Sequence, residues 1–305
     1  MPKDFKTIEE LIEILESRGV STDANTAAIL KRESYYAIVN GYKDPFLDRD
    51  AMQRSNGNFY KPGTTFTNIY DLFTYDRALR RAVMPYLMAA ETAVKSAVVY
   101  AFCERNQGML DYLDRDRYVS GRDMLVPEGF KGSKLEERDK NLGRLLKILS
   151  KKNKPNERSK EYAIHYVERY GGIPLWVLQN DMTFGNISNF YQLQKRGIQN
   201  ATCRIVSEVN GNGKRIGARD LLNALSVLVG FRNICAHDER LYCARVMGHG
   251  FDHMLDALAL ILSYEEIEEM TNGICHVTEP SRNKVRPEAL NAMYTDEKDI
   301  PKEYR

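Results

Sequence analysis

Apolar residues recur at steps of three and four along most of the chain, the spacing that lines one face of a helix. Ile8, Leu11, Ile12 and Leu15 form the first such series. Thr7 and Glu10 open it with capping-box spacing, and Gly19 closes it. A second helix is predicted from about Asp23 to Arg32, ahead of the aromatic segment 34–42. Two short helices and a turn fit a helix-turn-helix and equally an ordinary helical subdomain. The polar stretch 48–65 carries Asn56-Gly57 and Pro62-Gly63 as breakers. A long helical pattern then runs from Thr67 to about Arg105 through Ile69, Leu72, Leu79, Val83, Leu87, Val94 and Val98, with Pro85 expected to kink or split it. Residues 106–133 read as irregular.

The pattern resumes as a basic helix over 134–153, ended by Lys154-Pro155-Asn156, and again over 158–170. Gly171-Gly172-Ile173-Pro174 is a break, and Leu175-Trp176-Val177-Leu178 reads as a buried segment. A turn at 183–186 precedes a helix from about Ile187 to Lys195. Gly211-Asn212-Gly213 is a loop, 217–245 a helix, and His253 to Met270 another. The last thirty or so residues read as a loose polar tail. Strand pairs, repeats and low-complexity tracts are not evident, so the fold class is all-α. The predicted organisation is an N-terminal helical subdomain over 1–60, a helical core over 61–270 and a tail over 271–305.

Composition adds three points. The 305 residues are 43% apolar, which suits a packed core and excludes a chain disordered by composition. The net charge of +2 hides local asymmetry: residues 131–160 hold eleven Lys/Arg against four Asp/Glu, and 195–219 hold six against one. Such runs are either solvated helix faces or phosphate-binding surfaces. The five cysteines show no C-x-x-C spacing and are odd in number, which fits reduced thiols and a cytoplasmic setting. No run reaches about 18 apolar residues, and the acidic, amphipathic start is unlike a signal or transit peptide, so no membrane association is expected.

The helix over 217–245 turns polar at Arg232-Asn233-Ile234-Cys235-Ala236-His237. Stepping by four, Val229, Asn233, His237 and Leu241 form one line; Leu222, Leu225, Val229, Arg232, Ala236 and Arg240, at steps of three and four, form the other, so that Arg232 and Arg240 flank Asn233 and His237. Both lines start apolar, so the polar groups are expected on the inward side. Arginine holds phosphate, and histidine exchanges a proton near neutral pH. Acting on RNA, such a set needs no nucleophile of its own, because the substrate's 2′-hydroxyl attacks. His237 would move a proton, Arg232 would stabilise the phosphorane-like transition state, and Asn233 would orient His237 or the phosphate. Acid and base are both wanted while one helix supplies one histidine, which points to a symmetric dimer. Arg240, the basic-helix residues Arg144, Lys147, Lys151 and Lys152, and Lys214 with Arg215 are candidate RNA contacts. His249 and His253 are four apart, but Gly248 and Gly250 argue against a helix there, so no metal and no cofactor is expected.

The Arg232-Asn233-x-x-x-His237 run resembles the R-(N/H/D)-x-x-x-H ribonuclease motif of the HEPN superfamily. The longer run from Arg232 to Tyr242 is more similar to the Abi-like (AbiD/AbiF) bacterial abortive infection proteins. Tyr35-Tyr36 with Gly41-Tyr42 resembles that family's YY…GY segment. Gly63-Thr64-Thr65-Phe66 through Asp71 and Asp76-Arg77-x-Leu79-Arg80 resembles its first core helix, Glu91 its acidic position, and Pro174 to Val177 with Phe184-Gly185 its P-x-W…F-G segment. The similarity covers about residues 5–265. It implies a HEPN-like helical bundle, usually dimeric, that cleaves RNA without a metal and defends against phage, in some relatives as a toxin restrained by a small RNA. Cys243 stands where the family often has Asn, and Gln179-Asn180 precede Asp181 where it often has an acidic residue soon after the Trp. A non-catalytic protein that binds a small structured RNA in a toxin–antitoxin or defence system is the alternative. A purely structural role for the polar cluster is the third possibility.

Overall fold

The computed structural model describes residues 4–300, apart from 55, 56, 58, 157, 158 and 212–214. In chain order its α-helices are α1 (Ile8–Ser17), α2 (Thr26–Glu33), α3 (Arg49–Arg54), α4 (Phe66–Arg105), α5 (Lys134–Lys152), α6 (Glu161–Tyr170) and α7 (Leu175–Leu178). They continue as α8 (Phe184–Gln192), α9 (Arg196–Asn210), α10 (Ala218–Ala236), α11 (Phe251–Ile261), α12 (Tyr264–Arg282) and α13 (Pro287–Asn291). Among the described residues there is no strand, only isolated bridges such as Ser21 with Thr65, and the fold is all-α.

Local chemistry sets the helix ends. At α1 the Glu10 amide donates to Thr7 Oγ1 at 3.2 Å while the Thr7 amide donates to Glu10 Oε2 at 2.7 Å. This closes the capping box, and Gly19 follows at φ +88°, where a side chain would be strained. Ser133 caps α5, whose acidic Glu136 and Glu137 begin it and whose Lys151 and Lys152 end it, in the sense the helix dipole favours. Thr183 and Asn186 form a second capping box at α8.

The chain divides into two compact units. The first comprises Met1–Val83, Ile234–Asp252 and Thr271–Arg305; the second comprises Met84–Asn233 and His253–Met270. The first has a core of Leu15, Leu30, Ile38, Phe46, Leu72, Leu79, Leu241 and Leu290, all at 2% exposure or less. In the second, Leu87, Val94 and Val98 of α4, Leu145 of α5, Ile187 of α8, Leu225 of α10 and Leu258 of α11 are fully buried. Phe102, Tyr118 and Phe190 join them as an aromatic cluster with ring centroids 5.3–6.4 Å apart.

Several elements depart from the sequence pattern. Pro85 does not split α4, which runs unbroken from Phe66 to Arg105. Residues 196–210 form α9, which the pattern did not predict. The single helix expected over His253 to Met270 is two helices. Residues 271–300 are not a loose tail. They carry the rest of α12 and α13, and Val285, Ala289, Leu290 and Met293 are buried. Trp176, read as buried, is 51% exposed while its neighbours Leu175 and Leu178 are buried. α4 contains a stretch long and apolar enough to cross a membrane, 44% of which is buried. Its stripe from Ile69 to Val98 is packed at 0% exposure, and the core helix of a compact fold meets the same criterion.

Phe190 lies at the centre of the aromatic cluster and is fully buried. Phe190→Ala is expected to lower unfolding stability by about 3–5 kcal/mol, read as a shifted urea midpoint.

Candidate functional site

α10 carries the Arg-Asn-x-x-x-His run at its C-terminal end. Leu221, Leu222, Leu225, Leu228 and Phe231 bury its upstream face, so apolar packing fixes the helix before the polar residues begin. The helix stops at Ala236 and His237 is its cap. Asp238 takes the left-handed conformation at φ 58°, and the Glu239 amide donates to the Ile234 carbonyl at 3.0 Å. This is the Schellman closure, most often built on glycine; aspartate is among the few other residues that enter the left-handed region readily.

That ending corrects the expected geometry. The helix does not reach 245, so Arg240 lies outside it. Its Nη1 instead donates to the Gly41 carbonyl at 2.9 Å and to Asp44 Oδ2 at 3.1 Å. Asn233 and His237 are not on an inward face, since both are exposed. Burial on α10 continues only to Phe231, and the polar residues beyond it occupy the solvent side. Arg232 is half-buried.

Within the second unit, Arg232 Nε lies 3.3 Å from Glu91 Oε2 on α4, close enough for an ion pair but not aligned as a hydrogen bond. Glu91 is only 7% exposed, and its other oxygen sits 3.5 Å from Lys95 Nζ. The carboxylate therefore anchors the guanidinium through Nε. The Nη groups have no partner among the described residues, which leaves the fork for an anion.

Within the first unit, the residue following the histidine is held from behind. Arg80 Nη2 donates to Asp238 Oδ1 at 2.5 Å, and its Nη1 donates to the Glu239 carbonyl at 3.1 Å and to Asp76 Oδ2 at 2.5 Å. Asp76 also accepts from the Tyr42 hydroxyl at 2.7 Å and from the amides of Leu241 and Tyr242 at 3.1 and 2.6 Å. The Asp76 side chain is fully buried and that of Arg80 is 4% exposed. Burial pushes the Asp76 carboxyl up from its ordinary range, and Arg80, Tyr42 and the two amides oppose it. Arg80, the Tyr42 hydroxyl and the two amides all donate to it, so the ionised carboxylate satisfies every one of them. Burial likewise pushes the Cys235 thiol up to about 12, which makes it a packed residue rather than a nucleophile.

The other candidates are dispersed. Arg144, Lys147 and Lys151 are exposed along one side of α5, opposite buried Leu142, Leu145 and Leu149, while Lys152 is half-buried. α5 is tied to α8 by the Asn189 amide donating to the Asn141 carbonyl at 3.3 Å. α8 in turn approaches α10, where a Cβ on Gly185 would come 3.8 Å from Val229. Arg215 is exposed, and Lys214 lies outside the described residues. His249 sits in a turn ahead of α11 and His253 in its first turn, so they do not form a one-turn helical pair. The sequence did not identify Arg80 and Asp76 as supports. Their signals were a charged pair four residues apart within an apolar helix and their place in the segment that resembles the family's first core helix.

A family model described as Abi-like protein matches residues 28–243, more than two thirds of the chain. The protein belongs to the Abi-like family, and that membership supports an abortive-infection role in phage defence. No curated protein and no solved structure matches it.

Asp76→Asn removes a charge that Arg80 faces in a buried site. It is expected to destabilise the fold by about 3–5 kcal/mol, and a double replacement of Asp76 and Arg80 by apolar residues of similar volume should be milder than either single change. A urea double-mutant cycle checks this; additive single effects would contradict it.

Proposed function

We propose that the protein is a metal-independent endoribonuclease of the HEPN type, acting as an RNA toxin in phage defence. The observation that carries this reading is the end of α10. Arg232 is anchored through Nε by a nearly buried glutamate, and Asn233 and His237 stand exposed at and before the helix cap. The RNA 2′-oxygen attacks the adjacent phosphorus and the bond to the 5′-oxygen breaks, leaving a 2′,3′-cyclic phosphate and a 5′-hydroxyl. His237 takes the 2′-proton or delivers one to the departing 5′-oxygen. The Arg232 fork stabilises the charge that builds on the phosphoryl oxygens. Asn233 orients His237 or the phosphate.

One chain offers one histidine for two proton transfers. Exposure of Asn233 and His237 supports a composite site in which a second copy presents the same helix end across a two-fold axis. No cofactor enters this scheme. A cytoplasmic setting, where RNA is abundant and thiols stay reduced, fits it.

The cationic side of α5 supports a second reading, in which the chain binds a small structured RNA without cutting it. Arg144, Lys147 and Lys151 lie at helical spacing on an exposed face, which suits a phosphate backbone. Arg240, Lys152, Lys214 and Arg215 are the remaining proposed RNA contacts.

One experiment separates the two readings. His237→Ala and Arg232→Ala are each expected to reduce RNA cleavage by at least about a hundredfold, while chelation by EDTA leaves the native rate unchanged. Cleavage that survives both substitutions would sink the ribonuclease reading. Salt-sensitive RNA binding with no product would favour the second.

A further inference from the structure

A cavity of about 510 Å³ opens within the first unit beside the residues that follow His237. Asp238, Glu239 and Arg240 line it, together with Tyr36 and Asn40. Its apolar lining includes Tyr42 and Phe73, whose rings meet edge to face at 5.4 Å. The segment that brings Tyr36 and Asn40 here is unusual. Residues Tyr36–Asn40 form a π-helical turn, a rare conformation that tends to accompany functional sites. Ser34, just before it, holds φ at 70°, a strained value for a non-glycine residue. The same turn leaves Tyr36 76% exposed, although its ring is large and apolar.

These features match the parts of a nucleotide. A flat exposed ring stacks a base, provided the base is not already stacked in a duplex. An asparagine both donates to and accepts from a base edge. Arg240 supplies positive charge, and its bonds to Gly41 and Asp44 fix it at the cavity. Asp238 would repel a phosphate, but its carboxylate is already paired with Arg80 at 2.5 Å.

We infer that this cavity is a subsite for an unpaired nucleotide next to the scissile phosphate. Its base stacks on Tyr36, its edge meets Asn40, and Arg240 faces the neighbouring phosphate. The subsite rests on the RNA-cleavage reading for its purpose, since three of its lining residues directly follow His237. It would give the enzyme a base preference at one position beside the cut, which Arg232 and His237 do not provide.

The test uses the full-length protein and single-stranded oligoribonucleotides carrying 2-aminopurine at successive positions. In the native background, Tyr36→Ala should raise KM roughly tenfold, with a smaller effect on kcat, and should flatten the base preference at one position beside the cut. In the His237→Ala background, quenching of one 2-aminopurine should disappear with Tyr36→Ala and return with Tyr36→Trp. The exposed position of Tyr36 means the melting temperature should not move. If the native protein cleaves while Tyr36→Ala leaves KM, base preference and quenching unchanged, the subsite is wrong and the ribonuclease stands. If the native protein cuts no RNA yet the quenching still depends on Tyr36, the ribonuclease reading fails and the cavity stands only as a binding site for an unpaired nucleotide; if neither cleavage nor quenching is seen, both fail.

Discussion

The buried ion pair between Asp76 and Arg80 organises the first unit. One carboxylate with no exposure receives a guanidinium, a phenol and two successive backbone amides. Those amides belong to Leu241 and Tyr242, so the pair fixes the chain just after the Arg-Asn-x-x-x-His run. Through Asp238 and the Glu239 carbonyl, Arg80 also fixes the residues immediately after His237. A buried ion pair is a poor source of net stability, because desolvation offsets most of its attraction. Its value here is geometric: it determines where α10 ends and how the loop leaves it.

The other half of the motif depends on a different carboxylate. Glu91 meets Arg232 within the second unit, from a position on α4 that is almost closed to solvent. A guanidinium held at Nε loses little further freedom when its fork takes an anion. The two supports differ in depth, since Asp76 is sealed and Glu91 borders the surface. This contrast fits their tasks, one shaping a loop and the other presenting a side chain.

Much of the fold was legible in the sequence. The period of three and four gave α1, α4 and α5 nearly to the residue, and the capping box at Thr7 and Glu10 formed as its spacing required. α9 was missed because its buried face includes Gln199, Thr202 and Asn210, polar residues that break the apolar period. The end of α10 was misplaced because no local stop signal stands there. Asp238 turns left-handed where a glycine would be expected, and its carboxylate is paired with an arginine 158 residues earlier. The segment after residue 270 looked loose because its few apolar residues show no clear period, yet Val285, Leu290 and Met293 are buried. At the site, Arg232, Asn233 and His237 stood out in the sequence, and their membership in an Abi-like chain followed. Glu91 and Arg80 stood out only by family resemblance; their role as supports shows only when distant parts of the chain pack.

In the proposed reaction the RNA's own 2′-hydroxyl attacks, and Arg232 and His237 assist it. The chemistry of the product ends tests that claim most directly. Products of the purified native protein should carry 2′,3′-cyclic phosphate and 5′-hydroxyl ends, and a single 2′-deoxy substitution at the cut should block cleavage there. Products with 3′-hydroxyl and 5′-phosphate ends, or cleavage that continues at the deoxy position, would contradict it.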